Sequence, residues 1–176
     1  MTIPIFPDSF QTDRLLLRPI APVDAGVIFD TYAQDEVVTR FLSWRPHARV
    51  EDTRGYIESC VGSTSSRTYV LLQGDVLVGA TDMRQEQLHA LGFGYVLARR
   101  AWGQGLMTEA LTAMRQWALN QPAIRRFAAC CDVKNVGSAR VMEKAGLDQE
   151  GIARRWLVHP NLGDEPRDCF IYAAVR

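Results

Sequence analysis

The chain has 176 residues, 47% of them hydrophobic and 23% charged, and its 20 basic side chains balance its 20 acidic ones. The length suits one domain, and the composition is that of a globular protein with a sizeable core. A net charge of zero argues against a general nucleic-acid or anionic-membrane binder, which usually carries a basic excess, but it is compatible with a local basic pocket. No run approaches the roughly 18 apolar residues of a membrane span, and no signal peptide is evident, so we expect a cytoplasmic protein.

The four cysteines give no sign of a metal site. They are scattered along the chain, and the adjacent pair should point to opposite faces if it lies on a strand. Their spacing matches no metal-binding pattern, so we expect reduced, mostly packed thiols in a reducing compartment, and no metal. The cysteines are Cys60, Cys130, Cys131 and Cys169.

The first half of the chain predicts one strand, two helices and three further strands. After a lead-in arm over residues 1–13, a short strand over residues 14–18 ends at a proline. Pro22 begins the first helix and Gly62 ends the second, with an irregular stretch over residues 39–47 between them. The inward residues are predicted to be Val27, Ile28 and Tyr32 in the first helix, and Tyr56, Ile57, Cys60 and Val61 in the second. The three strands, joined by short turns and therefore antiparallel neighbours, are residues 68–72, 76–83 and 89–98.

The second half predicts a helix, a strand, another helix and two final strands. Apolar residues recur at three- and four-residue steps after Gly105, which is typical of one face of an amphipathic helix. The strand over residues 127–133 is apolar enough to be buried, while Asn135 caps the next helix and Gly146 ends it. The inward residues are Leu106, Ala110, Met114 and Trp117 in the first of these helices, and Val136, Ala139, Met142 and Ala145 in the second. With final strands at residues 152–158 and 168–175, the order indicates a mixed sheet with helices, an α+β or α/β fold.

Two glycines, Gly103 and Gly105, lie where a strand turns into the long helix. They fit two interpretations: a tight turn, or an anion site, most naturally for phosphate, because a helix N-terminus has unpaired amides and partial positive charge. The sequence departs from two familiar phosphate loops. Thr108 stands where a dinucleotide-binding loop needs a third glycine, and the Gly-Lys-Ser/Thr of a Walker loop is absent.

Three segments carry a family resemblance. Residues 102–107 are Trp-Gly-Gln-Gly-Leu-Met, residues 135–146 are Asn-Val-Gly-Ser-Ala-Arg-Val-Met-Glu-Lys-Ala-Gly, and residues 14–19 are Arg-Leu-Leu-Leu-Arg-Pro. The first fits the Gln/Arg-x-x-Gly-x-Gly/Ala frame of the GNAT superfamily of acyl-CoA-dependent N-acetyltransferases, with Trp first and Met last. The other two resemble the branch of ribosomal-protein N-terminal acetyltransferases, the longer one through its Asn-x-x-Ser-x-Arg…Lys-x-Gly pattern. The element order matches as well, so the resemblance covers essentially the whole chain.

This resemblance implies a GNAT fold: a central mixed, roughly six- to seven-stranded sheet flanked by about four helices, forming a single acyl-CoA N-acyltransferase domain over residues 1–176. It implies an acetyl-CoA-dependent N-acetyltransferase in which a primary amine attacks the thioester directly. The amine would belong to a peptide N-terminus or to a small molecule, and a homodimer is compatible with the resemblance. The alternative is a non-catalytic acyl-CoA-binding or regulatory domain; an unrelated nucleotide-binding domain fits the glycine spacing less well.

The resemblance also implies where coenzyme A binds. Main-chain amides of residues 103–107 would hold its pyrophosphate, while the strand at residues 95–97 splays from its neighbour, pairs with the pantetheine arm and polarises the thioester carbonyl. Asn135 would hydrogen-bond the arm, and Arg140 or Lys144 would either touch the phosphates or be solvated helix charges. The implied cofactor-binding residues are Tyr95, Val96, Leu97, Trp102, Gly103, Gln104, Gly105, Leu106, Met107, Asn135 and Arg140.

For catalysis the resemblance is less complete. Many relatives carry a tyrosine where this chain has Met142, so the implied catalytic donor to the departing thiolate is Ser138, with an ordinary helix serine or a water as the alternatives. Relatives often carry a glutamate where this chain has Gly92, and residues 154–157 contain no acid either. The remaining candidates for the general base are Glu36, His47 and His89, or a water chain to backbone carbonyls.

The acceptor site is expected between the first two helices and in the loop between the last two strands. Aromatic and basic side chains there would either line this site or be core residues and solvated charges. Arginines at positions 45, 154 and 155 would attract an acidic acceptor unless they are simply solvated. The expected lining residues are Phe41, Trp44, Arg45 and His47, together with residues 156–163.

Overall fold

The computed structural model describes residues 6–176 of the chain. The strands in this part are β1 (Phe10–Gln11), β2 (Leu16–Pro19), β3 (Ser66–Gln73), β4 (Val76–Gln87), β5 (Ala90–Leu97), β6 (Arg126–Asp132), β7 (Asp148–Leu157) and β8 (Arg167–Val175). They form one sheet in the order β1-β2-β3-β4-β5-β6-β8-β7. Neighbouring strands are antiparallel except β5 and β6, which run parallel.

The helices of the same residues are α1 (Ala25–Ile28), α2 (Glu36–Thr39), α3 (Val50–Val61), α4 (Leu106–Asn120) and α5 (Val136–Lys144). A 3-10 turn over Pro22–Asp24 leads into α1, and a π-helical turn over Phe29–Ala33 continues it. Asp35 caps α2, because its side chain accepts hydrogen bonds from the amides of Val37 and Val38. None of the helices described here is long and apolar enough to cross a membrane.

The mixed sheet with helices confirms the predicted fold, but the predicted number of strands was too low. The missed strand is β1, which lies in the arm predicted to be without regular structure and pairs Phe10 with Leu17 of β2. A strand of two residues is too short to show an alternating pattern in the sequence. Residues 1–5 of the same predicted arm lie outside the described part of the chain.

Three predicted inward residues are wrong. Val27, Val61 and Val136 each expose about half or more of their surface. Val61 and Val136 are terminal residues of α3 and α5, where the apolar face no longer meets the sheet. Val27 lies beside the buried face, which Ala25, Ile28 and Tyr32 form at three- and four-residue steps.

The sheet separates two hydrophobic cores. On one face α4 and α5 pack against the sheet, and Phe93 of β5 stacks on Phe127 of β6 with ring centroids 4.5 Å apart. On the other face α1 and α3 pack against the sheet, where Ala80 of β4 is buried. Since successive strand residues alternate between faces, Asp82 lies on the same face as Ala80. The carboxylate of Asp82 therefore lies on the sheet face that α1 to α3 cover.

Strands β5 and β6 diverge, which confirms the predicted splay. Their parallel pairing covers only Ala90–Gly92 of β5 and Arg126–Ala128 of β6. Beyond those residues, β5 continues to Leu97 in antiparallel contact with β4 alone. The edge of β5 that faces β6 is therefore unpaired over its last residues, and a cleft opens there.

Candidate active site

A cavity of about 820 Å³ occupies the cleft between β5 and β6 and continues across the sheet face that α1 to α3 cover. Predicted residues from both halves of the site meet in it. On the cofactor side these are Tyr95, Val96, Leu97, Trp102, Gly103, Met107, Asn135 and Ser138. On the acceptor side they are Phe41, Trp44, His47, Leu157 and His159. One continuous space therefore joins the helix N-terminus to the aromatic wall.

The turn before α4 presents a row of free amides. Gly103 and Gly105 are left-handed, with φ angles of +73° and +76°, a conformation that glycine adopts without a steric penalty. Gly105 is the residue before the helix, and its carbonyl accepts the amide of Glu109 at 3.0 Å. Among the described residues, no acceptor lies within hydrogen-bond distance of the amides of residues 103–107. With the helix dipole, these amides form an anion site.

Arg14 braces this turn and adds a positive charge beside it. Its Nε atom lies 2.6 Å from the carboxylate of Glu109, and Nη1 donates to the carbonyl of Gln104 at 2.9 Å. Burial would raise the pKa of Glu109, but hydrogen bonds from Thr12 and Arg14 hold it below its ordinary value. Arg14 entered the sequence analysis only as part of the resemblance. Its contact with the turn joins residues 90 positions apart, so local spacing could not reveal it.

The splayed edge of β5 directs backbone groups into the cleft. Because the amide of Ala98 donates to the carbonyl of Val78, even-numbered residues of β5 point their backbone groups towards β4. Tyr95 and Leu97 consequently point theirs towards the cleft. The indole Nε1 of Trp102 donates to the Leu97 carbonyl at 2.8 Å, so one of these carbonyls already has a partner.

Ser138 forms a hydroxyl pair with Tyr95 at the cleft. The two side-chain oxygens are 2.7 Å apart, and the Tyr95 hydroxyl also lies 3.2 Å from the Ser138 carbonyl. Burial raises the pKa of Tyr95, so its phenol keeps its proton at neutral pH. Asn135 caps α5 through a hydrogen bond that its side-chain oxygen accepts from the Ser138 amide at 3.2 Å. The cap fixes the helix turn that carries Ser138.

An aromatic wall closes the acceptor side. Trp44 lies 4.9 Å from His47 and 6.4 Å from Tyr56, measured between ring centroids. The Nδ1 atom of His47 is 2.8 Å from the hydroxyl of Thr53, and burial lowers the pKa of His47. Asn161 ties the β7–β8 loop to this wall, since its side-chain amide donates to the Trp44 carbonyl at 2.8 Å.

Asp82 is a cavity residue that the sequence analysis missed. It lines the acceptor side, and Nη1 of Arg84 donates to its Oδ2 atom at 2.8 Å. Burial raises the pKa of the Asp82 carboxyl, although Arg84 partly opposes this effect. In the sequence, Asp82 stands out only as an acid within an apolar strand. Its place in the cavity depends on the register between β4 and β5, which the sequence does not show directly.

A fully buried carboxylate, Asp132 at the end of β6, lies next to His159 of the cavity wall. It forms an ion pair with Arg167, and its Oδ2 atom lies 3.8 Å from Nε2 of His159. Burial would raise the pKa of Asp132, but hydrogen bonds from Arg167 and from the amide of Lys134 keep it below its ordinary value. Both ring nitrogens of His159 are buried and lack a hydrogen-bond partner among the described residues.

Several predicted site residues do not line the cavity. On the cofactor side, Gln104, Gly105 and Leu106 are not among the lining residues, and Arg140 is an exposed residue of α5. On the acceptor side, Trp156 is exposed and Arg45 lies away from the cavity walls. Of the predicted general bases, His47 lines the cavity, whereas Glu36 and His89 do not.

The chain belongs to the GNAT acetyltransferase family, because the family model described as the acetyltransferase (GNAT) domain matches residues 14–148. Members of this family transfer an acetyl group from acetyl-CoA, and the chain is an N-acetyltransferase. It is 24% identical over 154 residues to the uncharacterized N-acetyltransferase p20 of Bacillus licheniformis, covering 84% of this chain and 86% of that protein.

Two further comparisons agree with the family. The [ribosomal protein uS5]-alanine N-acetyltransferase of Escherichia coli is 27% identical over 165 residues, covering 84% of this chain and 81% of that protein. A GNAT-family acetyltransferase from Bacillus anthracis has a crystal structure that matches with a TM-score of 0.83 and 26% identity. That match covers 95% of this chain and 98% of the other.

Proposed function

We propose that this chain acetylates a primary amine, of a peptide N-terminus or of a small molecule, at the cavity between β5 and β6. The observation that carries the proposal is the row of free amides at residues 103–107, where Gly103 and Met107 line the same cavity as the aromatic wall. An anion site alone would suit many ligands. Its position beside an unpaired strand edge favours a ligand with a diphosphate and an amide-bearing arm.

The residues present fit coenzyme A. A Cβ atom on Gly103 would meet nothing within 4 Å, so the turn is open on its cavity side. The amides of residues 103–107, with the guanidinium of Arg14 nearby, suit a diphosphate. The side-chain amide of Asn135 and the backbone groups of Tyr95 suit the amides of the arm. Acetyl-CoA, when bound, supplies the activated acetyl group.

The chain's own residues supply alignment and a proton donor. Backbone amides that face the cleft polarise the carbonyl under attack, an interaction that is worth about 3 kcal/mol in comparable sites. Ser138 donates a proton to the departing sulfur, and the Tyr95 hydroxyl, 2.7 Å away, orients it. These hydroxyls replace the donor that Met142 cannot provide.

An acceptor screen tests the proposal against a binding-only domain. Purified protein with acetyl-CoA is offered short peptides with free N-termini and a set of small primary amines, and release of free thiol is recorded. We expect thiol release with at least one amine. Tight binding of acetyl-CoA without release for any amine would instead support the non-catalytic acyl-CoA-binding or regulatory domain.

Ser138→Ala should lower kcat about 10-fold and leave the affinity for acetyl-CoA unchanged. The expected loss is modest because the leaving thiol has a pKa of about 8.5, so the thiolate needs little assistance near neutral pH. The measurement is a steady-state assay with the best amine of the screen. Ser59→Ala is the control, since Ser59 is a helix serine of α3 whose hydroxyl bonds only the carbonyl of Tyr56 and does not line the cavity. An unchanged kcat would remove Ser138 from the mechanism.

We further propose that one acyltransferase domain spans residues 1–176 and works in the cytoplasm. All four cysteines are free thiols, as suits a reducing compartment. Burial raises the pKa of Cys131, to about 12, so this thiol in the cavity wall stays protonated and poorly nucleophilic.

A further inference from the structure

A carboxylate lies on the cavity floor, on the acceptor side. Asp82 of β4 pairs with Gly94 of β5, and 28% of its side chain is exposed. A Cβ atom on Gly94 would lie 2.8 Å from Oδ1 of Asp82, which is closer than real Cβ atoms approach other atoms. Glycine at this position therefore lets the carboxylate lie over the backbone of β5.

Glu86 repeats this arrangement outside the cavity. A Cβ atom on Gly92 would collide with Oε1 of Glu86, so two glycines of β5 make room for two acids of β4. Asp82 lines the cavity, whereas Glu86 does not. The two carboxylates thus share a strand face and an arginine neighbour but differ in access to an acceptor.

Arg84 holds Asp82 in place from one side. Its Nη1 atom donates to Oδ2 of Asp82 at 2.8 Å, its Nη2 atom donates to the Phe93 carbonyl at 3.3 Å, and Nε lies 3.5 Å from Glu86. These three contacts hold the guanidinium beside Asp82, and 42% of the Arg84 side chain is exposed. The backbone of Gly94 also hydrogen-bonds this carboxylate, and Arg84 is its only side-chain donor among the described residues. Each carboxylate oxygen accepts more than one hydrogen bond, so Asp82 can still accept from a ligand on the cavity side.

The surroundings make Asp82 a better proton acceptor than an exposed aspartate. The charged and titratable groups that face it are Arg84 and Glu86 on β4 and Tyr56 on α3. Burial raises the pKa of its carboxyl, and the charge and hydrogen bond of Arg84 and the backbone hydrogen bond of Gly94 oppose this only in part. A carboxylate with a raised pKa takes up a proton more readily than an ordinary one.

Asp82 is also close to the strand edge that the proposed function uses. Tyr95, whose backbone groups face the cleft, follows the pairing partner Gly94 by one residue on β5, a rise of roughly 3.4 Å. We infer, resting on the proposed function, that Asp82 is the catalytic residue that binds the acceptor as an ammonium ion and accepts its first proton, through at most one water.

The proton count balances without another reactant. The ammonium nitrogen gives one proton to Asp82, which later releases it to solvent, and the neutral amine then attacks the acetyl carbon. A C–N bond forms and the C–S bond breaks. The nitrogen loses its second proton, and the departing sulfur gains one through Ser138, so the products are the amide, free thiol and one proton.

A pair of uncharged and charged probes tests the binding step without turnover. Benzylamine is protonated at pH 7, while benzyl alcohol has nearly the same shape and no charge. In NMR titrations of the protein saturated with coenzyme A, we expect wild type to prefer benzylamine by about 10-fold. Asp82→Asn should bind both probes equally, and Glu86→Gln should behave as wild type. Equal binding of the two probes by wild type would overturn the inference.

Turnover tests the proton transfer. With acetyl-CoA and the best amine of the screen, Asp82→Asn should lose about 100-fold in kcat/KM at pH 7, and Glu86→Gln less than about twofold. The loss should shrink as pH rises towards the amine's own pKa, since neutral amine then needs no base. Thermal unfolding checks that both variants fold. Wild-type turnover in Asp82→Asn contradicts the assignment, whereas wild-type protein that prefers benzylamine but acetylates no amine contradicts the proposed function and the proton transfer with it.

Discussion

Gly105→Val should weaken coenzyme A binding by at least about 100-fold while the protein stays folded. Gly105 has a φ of +76°, and a β-branched residue in that conformation costs about 1–2 kcal/mol or more. Relief of this strain requires the turn to rotate, which moves the amides that are proposed to hold the diphosphate. A Cβ atom at this position would lie 3.6 Å from Nη2 of Arg14, an ordinary contact, so packing does not forbid the variant.

Calorimetric titration with coenzyme A measures this effect, and thermal unfolding reports on the fold. Gly74→Val is the matched control: Gly74 is also left-handed, with a φ of +58°, and a Cβ atom there would meet nothing within 4 Å. Gly74 lies in the β3–β4 turn and outside the cavity. Gly74→Val should therefore strain the backbone to a similar degree and leave the affinity for coenzyme A unchanged. Wild-type affinity in Gly105→Val would show that the diphosphate binds elsewhere.

The cofactor side of the site could be predicted from the sequence because its signals are local. Two glycines, a strand before them and an amphipathic helix after them lie within the 31 residues from Ala90 to Asn120. The Asn135 cap follows the same logic, since a helix cap needs no distant partner, whereas the role of Ser138 came from the family resemblance. The splay of β5 from β6 came from the family resemblance and was confirmed by their short pairing.

The acceptor side could be predicted only in part. The position of Asp82 in the cavity depends on the register of β4 against β5 and on the absence of a side chain at Gly94. His159 enters the cavity because the β7–β8 loop folds back against Phe41, 118 positions away in sequence. Neither of these two contacts produces a periodic pattern or a characteristic spacing in the sequence. Long-range pairing decides which polar side chains meet, and one sequence does not contain that pairing explicitly.

The contribution of Arg18 to stability also could not be predicted from the sequence. Arg18 entered the sequence analysis as part of a segment that resembles the family, with no role attached. In the structure its guanidinium lies 2.6 and 2.8 Å from the two oxygens of Asp24, and Asp24 also accepts the amide of Ala21. This pair joins β2 to the turn that begins α1. The ion pair therefore sets the position of α1, whose residue Ile28 lines the cavity.

Asp24→Asn should lower the free energy of unfolding by about 3 kcal/mol at pH 7, the lower end of the range for a broken buried ion pair. Asp24 is only 5% exposed, whereas the Arg18 side chain is 35% exposed and partly screened by water. Asparagine keeps the shape and an acceptor for the Ala21 amide, so the loss reports the charge. Urea unfolding measures it, with Glu150→Gln as control.

Glu150 pairs with Arg126 at a partly exposed site, so its loss should cost less than about 1 kcal/mol. Acidification separates a charge effect from a packing effect. Burial would raise the pKa of Asp24, but the hydrogen bonds from Arg18 and Ala21 and the charge of Arg18 hold it below its ordinary value. The ion pair therefore stabilises the fold above the unfolded-state pKa of about 4 and is lost as pH falls through the lower folded value. The difference between wild type and Asp24→Asn should shrink over that range; a difference that stays constant with pH would assign the loss to packing.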